Sequence, residues 1–479
     1  MNSLIRKYKN LSLPLKASFF FILCSFIQKS ISIITSPIFT RLLSVEDYGK
    51  CTLFNSWTEV LSIFVTFKIM EAVFNKTMVS VDDYDKKKVL STFQVVLTLL
   101  FVIFCIIYLI FYKQINGIMG FTSSLMIAMI INIYFDGTIK LWIAFQRYEY
   151  KYIILVIVSI IISLMNPLIG IFAVMHLKDK VFARILGIII PNILIGIIIF
   201  IYNIKNINIY NVKKIGISIL LFNLPLLPHY LSQILLNHSD RIMIGRMQGE
   251  SAVAFYGVAY TIGMLITMIT QSINSAYTPS IYRSIKKKEI KRIINVNYKL
   301  LCFVSLLILT IFMVIPEIVL IFGGRKYIES TYSVYPITVS VLFIFMYTLF
   351  ANIELYYGIR KYVTIGTCLS AIFNIILNFI FIQKFGYIAA GYTTLICYIC
   401  YGFFHIFISK QIICKNESIT VKYPINRIIL LSGVLILLSF LCQLLVNYII
   451  IRYLILIIII VVLLYKRDKI IVLIKEDIT

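Results

Sequence analysis

The chain of 479 residues is 61% hydrophobic and only 14% charged, and its mean hydropathy is +0.96. These values exclude a soluble globular protein, which has far more charge and shorter apolar runs. The net charge is +25, but no soluble basic domain is present to hold nucleic acid, so nucleic acid is excluded as a partner. The composition predicts an all-α integral membrane protein.

Fourteen apolar stretches of about 20 residues recur along the chain, the length at which a helix crosses the hydrocarbon layer. The first stretch follows a basic tail without a small-residue cleavage site, so we expect a retained helix rather than a signal peptide. No connection is long enough for a separate soluble domain. The predicted spans are 17–39, 52–74, 89–112, 122–145, 152–175, 184–203, 215–245, 252–279, 296–316, 333–356, 362–383, 386–408, 426–447 and 449–465.

The distribution of basic residues predicts the orientation. If the N-terminus is cytoplasmic, and residues within three positions of a span end are counted with the adjoining segment, the inner segments hold 30 of the 45 Lys and Arg residues and the outer segments hold 11. Positively charged loops stay in the cytoplasm. We therefore expect both termini to be cytoplasmic.

The second half of the chain repeats features of the first half. Arg41, which closes the first span, is matched by Arg246, 205 residues later. The basic turn at 146–151 is matched at 357–361. The repeat predicts two pseudo-symmetric six-helix lobes, 1–214 and 215–410, followed by two extra spans and a cytoplasmic tail at 411–479. Paired lobes of this kind build the central, alternately open cavity of secondary transporters.

Charged residues within the predicted spans are the candidate functional groups. Inserting a charged side chain at bilayer depth costs roughly 2.5–3.5 kcal/mol, so such a residue normally faces a partner or a hydrated cavity. Lys68 and Glu71 are spaced i, i+3, and Asp136 and Lys140 i, i+4, so each pair is expected to share a helix face. The alternative interpretation of both pairs is that they are internal ion pairs that hold helices in place. The candidate ion-coupling or charge-balancing residues are Asp240, Glu71, Asp136 and Glu59.

A cationic cavity is the interpretation that the buried basic residues favour. Lys29 has no opposite charge within one helical turn, and the adjacent Asp240 and Arg241 point in different directions. Arg suits phosphate, since its fork of donors matches two oxygens. The candidate substrate-binding residues are Lys29, Arg241, Lys68, Lys140, Gln28, Gln271 and Asn274.

Other reactive residues give no sign of a metal, a cofactor or catalysis. Cys397 and Cys400 lie in a hydrophobic helix without a second pair, which favours packing over metal binding. The four histidines have no ligand spacing, and Pro225 and Pro228 beside His229 predict a kink in the seventh span. No nucleotide-binding loop is present. We expect no cofactor, no metal and no ATP hydrolysis.

Three segments together carry a family resemblance. They are residues 36–49 (SPIFTRLLSVEDYG), residues 224–229 with 239–245 (LPLLPH and SDRIMIG), and residues 374–378 with 385–391 (NIILN and FGYIAAG). In order and spacing they resemble the Wzx-type polysaccharide flippases of the multidrug/oligosaccharidyl-lipid/polysaccharide (MOP) exporter superfamily. The resemblance covers nearly the whole chain, although Tyr387 and Ile388 stand where a glycine–alanine pair is more frequent.

The resemblance implies a transporter, not an enzyme. It implies movement of an undecaprenyl-pyrophosphate-linked oligosaccharide across the bacterial inner membrane for O-antigen, lipopolysaccharide or capsule synthesis. Membrane lipids, a polysaccharide polymerase, a chain-length regulator and a coupling H⁺ or Na⁺ are the implied partners. Three alternatives stay open: a multidrug or organic-ion antiporter of the same superfamily, a membrane-embedded polysaccharide polymerase or ligase, and a channel or scaffold.

Overall fold

A computed structural model of the chain describes residues 13–80, 85–207, 209–417 and 423–465. Within these ranges the regular structure is helical, without strands. Two short 3-10 helices occur, at Leu224–Leu226 and Arg325–Ser330. The α-helices are α1 Leu13–Leu42, α2 Val45–Thr66, α3 Ala72–Val79, α4 Lys86–Met119, α5 Ser123–Tyr148, α6 Tyr152–His176, α7 Lys180–Ile204, α8 Ile209–Asn223, α9 Leu227–Gln248, α10 Glu250–Lys286, α11 Ile290–Phe312, α12 Ile315–Phe322, α13 Thr331–Tyr356, α14 Lys361–Phe385, α15 Ile388–Glu417, α16 Ile425–Leu444 and α17 Ile449–Tyr465.

The structure confirms the predicted all-α membrane class. Twelve helical stretches in the described ranges are long and apolar enough to cross a membrane. The other two predicted spans, the second and the fourteenth, also form helix, as α2 and α17. Helix α2 carries several charged residues, and α17 has only 17 residues.

The predicted second span, 52–74, is not one continuous helix. Ser44 caps the start of α2, where its Oγ accepts a hydrogen bond from the Asp47 backbone N–H at 3.0 Å. The helix ends at Thr66 because Phe67 and Lys68 have positive φ angles of 46° and 50°, a left-handed conformation that no α-helix contains. The prediction that Lys68 and Glu71 share a helix face is therefore wrong.

The predicted kink in the seventh span is confirmed. Helix α8 ends at Asn223, the 3-10 turn Leu224–Leu226 follows, and α9 begins at Leu227. Pro225 causes this break, because a proline has no backbone N–H to donate within a helix. The Asn223 side chain donates a hydrogen bond to the Phe67 carbonyl, so the break before α9 is tied to the break after α2.

Contacts divide the chain into two compact units, Met1–His238 and Ser239–Thr479. The division falls inside α9, later than the predicted start of the second lobe at residue 215. In the N-terminal unit, α6 and α7 approach so closely that a Cβ built on Gly187 would lie 2.4 Å from the Gly170 Cα. Contact between small residues is a common basis of helix packing in membranes.

In the C-terminal unit, α13 is the most enclosed of the candidate membrane spans. Of the residues in its apolar 18-residue stretch, 83% are buried. It packs against α10, α11, α15 and α16. The last two helices are tied to this unit by polar contacts. Arg452 of α17 donates to both carboxylate oxygens of Glu317 in α12, at 2.8 and 2.7 Å, and the Tyr335 hydroxyl donates to the Cys442 carbonyl at 3.3 Å.

Glu317 lies in the connection between the predicted ninth and tenth spans. Burial acts to raise the pKa of its carboxyl group, but the hydrogen bonds and charge of Arg452 outweigh burial and hold the pKa below its ordinary value. The ionised pair therefore fastens α17 at ordinary pH.

Candidate functional site

The C-terminal unit encloses the carboxylate of Asp240 near the end of α9, where Asp240 is only 1% exposed. Three neutral groups donate hydrogen bonds to it. The Tyr256 hydroxyl donates at 2.6 Å and the Thr394 hydroxyl at 2.9 Å, both to Oδ2, while the Asn378 amide donates at 2.7 Å to Oδ1. These donors come from α10, α15 and α14, so the carboxylate joins four helices.

A second layer of amides and hydroxyls orients these donors. Asn374 lies one helical turn before Asn378 on α14, and its Oδ1 accepts from Asn378 Nδ2 at 3.0 Å and from the Ser239 hydroxyl at 3.1 Å. The Asn378 Oδ1 accepts from the Thr393 hydroxyl. The amide orientation of Asn378 is thereby fixed. We refer to Ser239, Asp240, Tyr256, Asn374, Asn378, Thr393 and Thr394 as the Asp240 network.

Arg241 follows the carboxylate on α9 and has a different environment. It is 7% exposed, and its guanidinium carbon lies 3.9 Å from the centre of the Tyr260 ring. Stacking on an aromatic face stabilises a guanidinium by about 0.5–2 kcal/mol. The hydrogen bonds that Asp240 accepts from Tyr256, Thr394 and Asn378 come from neutral donors, while the adjacent Arg241 interacts with the carboxylate electrostatically.

A charge cluster in the N-terminal unit holds five of the predicted site residues. Lys140 lies 2.7 Å from Asp136, one turn away on α5, which confirms this predicted pair. Lys68 lies 3.9 Å from Glu59 of α2, and it also interacts electrostatically with Glu71, Asp136 and Lys140. The partner with which Lys68 forms an ion pair is thus Glu59, because the break after α2 turns Lys68 back along that helix.

Three carboxylates and two ammonium groups make the formal charge of this cluster −1. These five residues alone therefore do not give the cationic cavity lining that the sequence predicted. The prediction of a cationic cavity depends on Lys29 and Arg241.

The remaining predicted residues occupy separate positions. Lys29 is half-buried on α1, and the neighbouring Gln28 donates to the Ser159 carbonyl of α6 at 3.3 Å. On α10, Gln271 is exposed, whereas the Asn274 Oδ1 accepts from the Asn352 amide of α13 at 2.8 Å. Asn274 thus contributes to helix packing in the C-terminal unit.

The sequence analysis missed most of the Asp240 network, because it searched the spans for charged residues. Asn374 and Asn378 stood out only as part of a family motif, and their i, i+4 spacing was the signal that both amides face one side of α14. Four ionisable residues were also missed: Arg184, whose Nη1 donates to Asn166 Oδ1 at 3.0 Å; Glu354 with His405; and Arg452. Each lies within or at the start of a predicted span, so a complete search for charges would have found them.

No group of three or more His, Cys, Asp or Glu side chains with metal-binding geometry occurs among residues 13–80, 85–207, 209–417 and 423–465. The chemistry available at the two clusters is thus that of a buried, hydrogen-bonded carboxylate, a stacked guanidinium and a set of ion pairs. Such groups hold anions, protons or single cations at membrane depth.

This helix arrangement is similar to that of several solved transporters. The chain matches the lipid II flippase MurJ, in an inward closed conformation, with a TM-score of 0.72 and 16% identity over 94% of this chain and 100% of that one. It matches an inward-facing multidrug resistance MATE family transporter of the MOP superfamily with a TM-score of 0.61 and 13% identity, over 84% of this chain and 96% of the other. The fold is therefore that of the MOP-superfamily transporters.

Sequence comparison identifies the family. The family model described as polysaccharide biosynthesis protein matches residues 15–284, and the MatE model matches residues 225–380. The chain belongs to the polysaccharide biosynthesis protein family, which confirms the resemblance found in the sequence. A curated relative from the Lsg locus of Haemophilus influenzae is 28% identical over 204 residues, which are 41% of this chain and 50% of that protein. The alignment thus spans half the length of that relative.

Proposed function

We propose that this protein is a flippase that moves an undecaprenyl-pyrophosphate-linked oligosaccharide repeat unit across the bacterial inner membrane. The match of residues 15–284 to the polysaccharide biosynthesis family carries the proposal. The likeness to a lipid II flippase, whose name describes a lipid-linked substrate, supports it at the level of the fold. O-antigen, capsule or another surface polysaccharide is the product of the proposed pathway, and the polymerase and chain-length regulator act after this step.

Alternating access is the mechanism that we propose, with both termini in the cytoplasm. The substrate headgroup carries a pyrophosphate, which needs cationic partners away from bulk water. Arg241 is the strongest candidate, because its guanidinium is already oriented on Tyr260 and its planar fork matches two phosphate oxygens. Lys29 is the second candidate. Lys68 and Lys140 are the next candidates, and each lies close to a carboxylate.

Neutral polar side chains complete the proposed substrate path. Gln28, Gln271 and Asn274 are assigned to the sugars, for which amide groups provide both donors and acceptors. The polyprenyl tail stays in the lipid.

Ion coupling is assigned first to Asp240. Its carboxylate is buried and held by three donors, so a change in its charge through a bound proton or Na⁺ alters the packing of four helices. Glu59, Glu71 and Asp136 of the N-terminal cluster are the other candidates. Removal of the product outside is the alternative energy source.

A multidrug or organic-ion antiporter is the second candidate function, because the MatE family model matches residues 225–380. An antiporter of organic cations requires an acidic binding site, for which the N-terminal cluster of charge −1 is the candidate. A polysaccharide polymerase or ligase belongs to a different class. The three functions predict different phenotypes.

The discriminating experiment is deletion of the gene in its host, followed by complementation. A flippase defect leaves lipid-linked repeat units on the cytoplasmic leaflet. A polymerase defect displays single repeat units outside, and an antiporter defect changes drug sensitivity while surface polysaccharide stays normal. We expect the wild type to restore surface polysaccharide and Arg241→Ala and Lys29→Ala to fail.

Lys113→Ala is the matched control, because it removes one positive charge at an exposed position of α4. We expect Lys113→Ala to restore surface polysaccharide as the wild type does. Normal surface polysaccharide in the deletion strain would refute the proposed function.

A further inference from the structure

Glu354 of α13 and His405 of α15 form a buried acid–base pair that is separate from both clusters described above. The His405 Nδ1 lies 2.6 Å from Glu354 Oε1, and both side chains have zero exposure. A contact of this length between an imidazole and a carboxyl group is a strong, charge-assisted hydrogen bond. The bond joins two helices of the C-terminal unit.

Aromatic rings surround the pair. The Tyr401 and Tyr347 rings lie 4.7 and 5.8 Å from the His405 ring. Tyr423, which precedes α16, interacts electrostatically with Glu354, and Cys368 of α14 interacts with Tyr401. The tyrosine side chains around the pair are neutral near pH 7, because the ordinary pKa of a phenol is about 10.

No charged side chain other than His405 acts electrostatically on Glu354 within the described parts of the helices packed on α13. On α10, the neutral amide of Asn274 accepts a hydrogen bond from Asn352 of α13. The net charge of the pair is therefore set by its own proton count.

The two outer atoms of the pair, His405 Nε2 and Glu354 Oε2, are buried without a hydrogen-bond partner in the described ranges. With one shared proton the pair is neutral overall, either as imidazolium and carboxylate or as imidazole and carboxylic acid. Loss of that proton leaves one unbalanced negative charge in an enclosed site, which is strongly unfavourable. The closed arrangement of α13 and α15 therefore holds the proton.

We propose that Glu354 and His405 form a proton-binding site that holds one proton while α13 and α15 are packed together and releases it when the two helices separate. Release moves the proton to water and leaves a solvated carboxylate beside a neutral imidazole. By linkage, high pH favours the separated arrangement and low pH the packed one. This site differs from Asp240, whose carboxylate accepts hydrogen bonds from Tyr256, Asn378 and Thr394, and it does not depend on which substrate is carried.

Hydrogen–deuterium exchange of the purified full-length protein in lipid nanodiscs, from pH 5 to pH 9, tests the proposal. The peptides are those covering residues 343–356 and 398–409, with peptides of α6 and α7 as an internal reference for the intrinsic exchange rate. In the wild type we expect protection of the two segments, relative to the reference, to fall above about pH 6.5, by up to about tenfold per pH unit for a single proton.

Glu354→Gln keeps a hydrogen bond to His405 but has no acidic proton to lose. The fall in protection above about pH 6.5 is therefore expected to disappear in this variant. Tyr347→Phe is the matched control and is expected to keep this pH-dependent fall in protection. A constant protection ratio in the wild type would overturn the proposal without any variant. An unchanged fall in Glu354→Gln, or in His405→Gln if the first variant does not fold, would also overturn it.

Discussion

The Tyr256 hydroxyl donates a 2.6 Å hydrogen bond to Asp240 Oδ2, and both residues are almost completely buried. The dipeptide Tyr256-Gly257 is a further match between the two halves of the chain, because Tyr48-Gly49 precedes it by 208 residues. The corresponding Tyr48 hydroxyl lies 3.4 Å from the Ser36 hydroxyl. The repeated tyrosine thus donates to a carboxylate in the C-terminal unit and contacts a serine hydroxyl in the N-terminal unit.

Removal of that hydroxyl is expected to destabilise the C-terminal unit. Tyr256→Phe leaves Asp240 with two donors, and a buried hydrogen bond to a charged group contributes about 1.5–3 kcal/mol. We expect a lower midpoint of thermal unfolding for the detergent-purified variant. Tyr112→Phe, which removes a hydroxyl at an exposed position of α4, is expected to unfold like the wild type, and equal midpoints for both variants would contradict the assignment.

The ion-pair partner of Lys68 is testable by charge exchange. Lys68→Glu places a carboxylate beside Glu59 and is expected to lower the unfolding midpoint. A second change, Glu59→Lys, restores an opposite-charge pair and should recover part of the loss. The coupling free energy is expected to stay below about 1 kcal/mol, since the Glu59 side chain is 41% exposed and solvent screens the pair.

Glu71→Lys in the Lys68→Glu background is the matched comparison. It places a positive charge three residues after position 68 and not at position 59. We therefore expect a smaller recovery of the unfolding midpoint. Equal or stronger recovery would support the helix-face pair that the sequence predicted.

The attachment of α17 is expected to weaken in acid. The folded-state pKa of Glu317 is lowered, so its stabilisation is fully present above the unfolded-state pKa of about 4.3 and is lost as the pH falls through the lower folded-state value. Limited proteolysis at the α16–α17 connection is expected to accelerate only below about pH 4 in the wild type.

Glu317→Gln removes the ionised carboxylate at every pH. This variant should be cleaved fast throughout, including at pH 7. A wild type whose cleavage rate is independent of pH down to about pH 3 would contradict the role of the pair.

Close contact between α6 and α7 makes Gly187 intolerant of a side chain. A Cβ there would lie 2.4 Å from the Gly170 Cα and 2.9 Å from the Asn166 carbonyl oxygen, so backbone atoms must move. Gly187→Ala is expected to cost about 1–3 kcal/mol or more and to reduce the yield of folded protein. Gly117→Ala in α4, where a Cβ meets nothing within 4 Å, is expected to be neutral or slightly stabilising.

Hydropathy and charge predicted the helical membrane class, most spans and the proline break near Pro225, because each depends on local sequence. The break at Phe67 and Lys68 was not predictable in this way. Neither residue favours a left-handed conformation, and the Asn223 side chain that binds the Phe67 carbonyl lies 156 positions further along the chain.

The same limit applies to the candidate sites. The i, i+4 pair Asp136–Lys140 followed from its spacing, whereas the donors to Asp240 come from three other helices. Glu354 and His405 are 51 positions apart, and their meeting depends on the packing of α13 against α15. Residue type indicated that charges inside spans have partners, but only the tertiary structure shows which ones.

Flipping by the purified protein is the most direct test of the proposed function. Proteoliposomes would carry polyprenyl-pyrophosphate-linked oligosaccharide from the host, and an impermeant periodate treatment would measure the fraction of sugar in the outer leaflet over time. We expect the wild type to make the inner-leaflet pool accessible, Arg241→Ala to abolish this, and Lys113→Ala to match the wild type. Wild-type liposomes that keep their inner-leaflet pool protected as long as protein-free liposomes, under an imposed proton or Na⁺ gradient, would contradict the account.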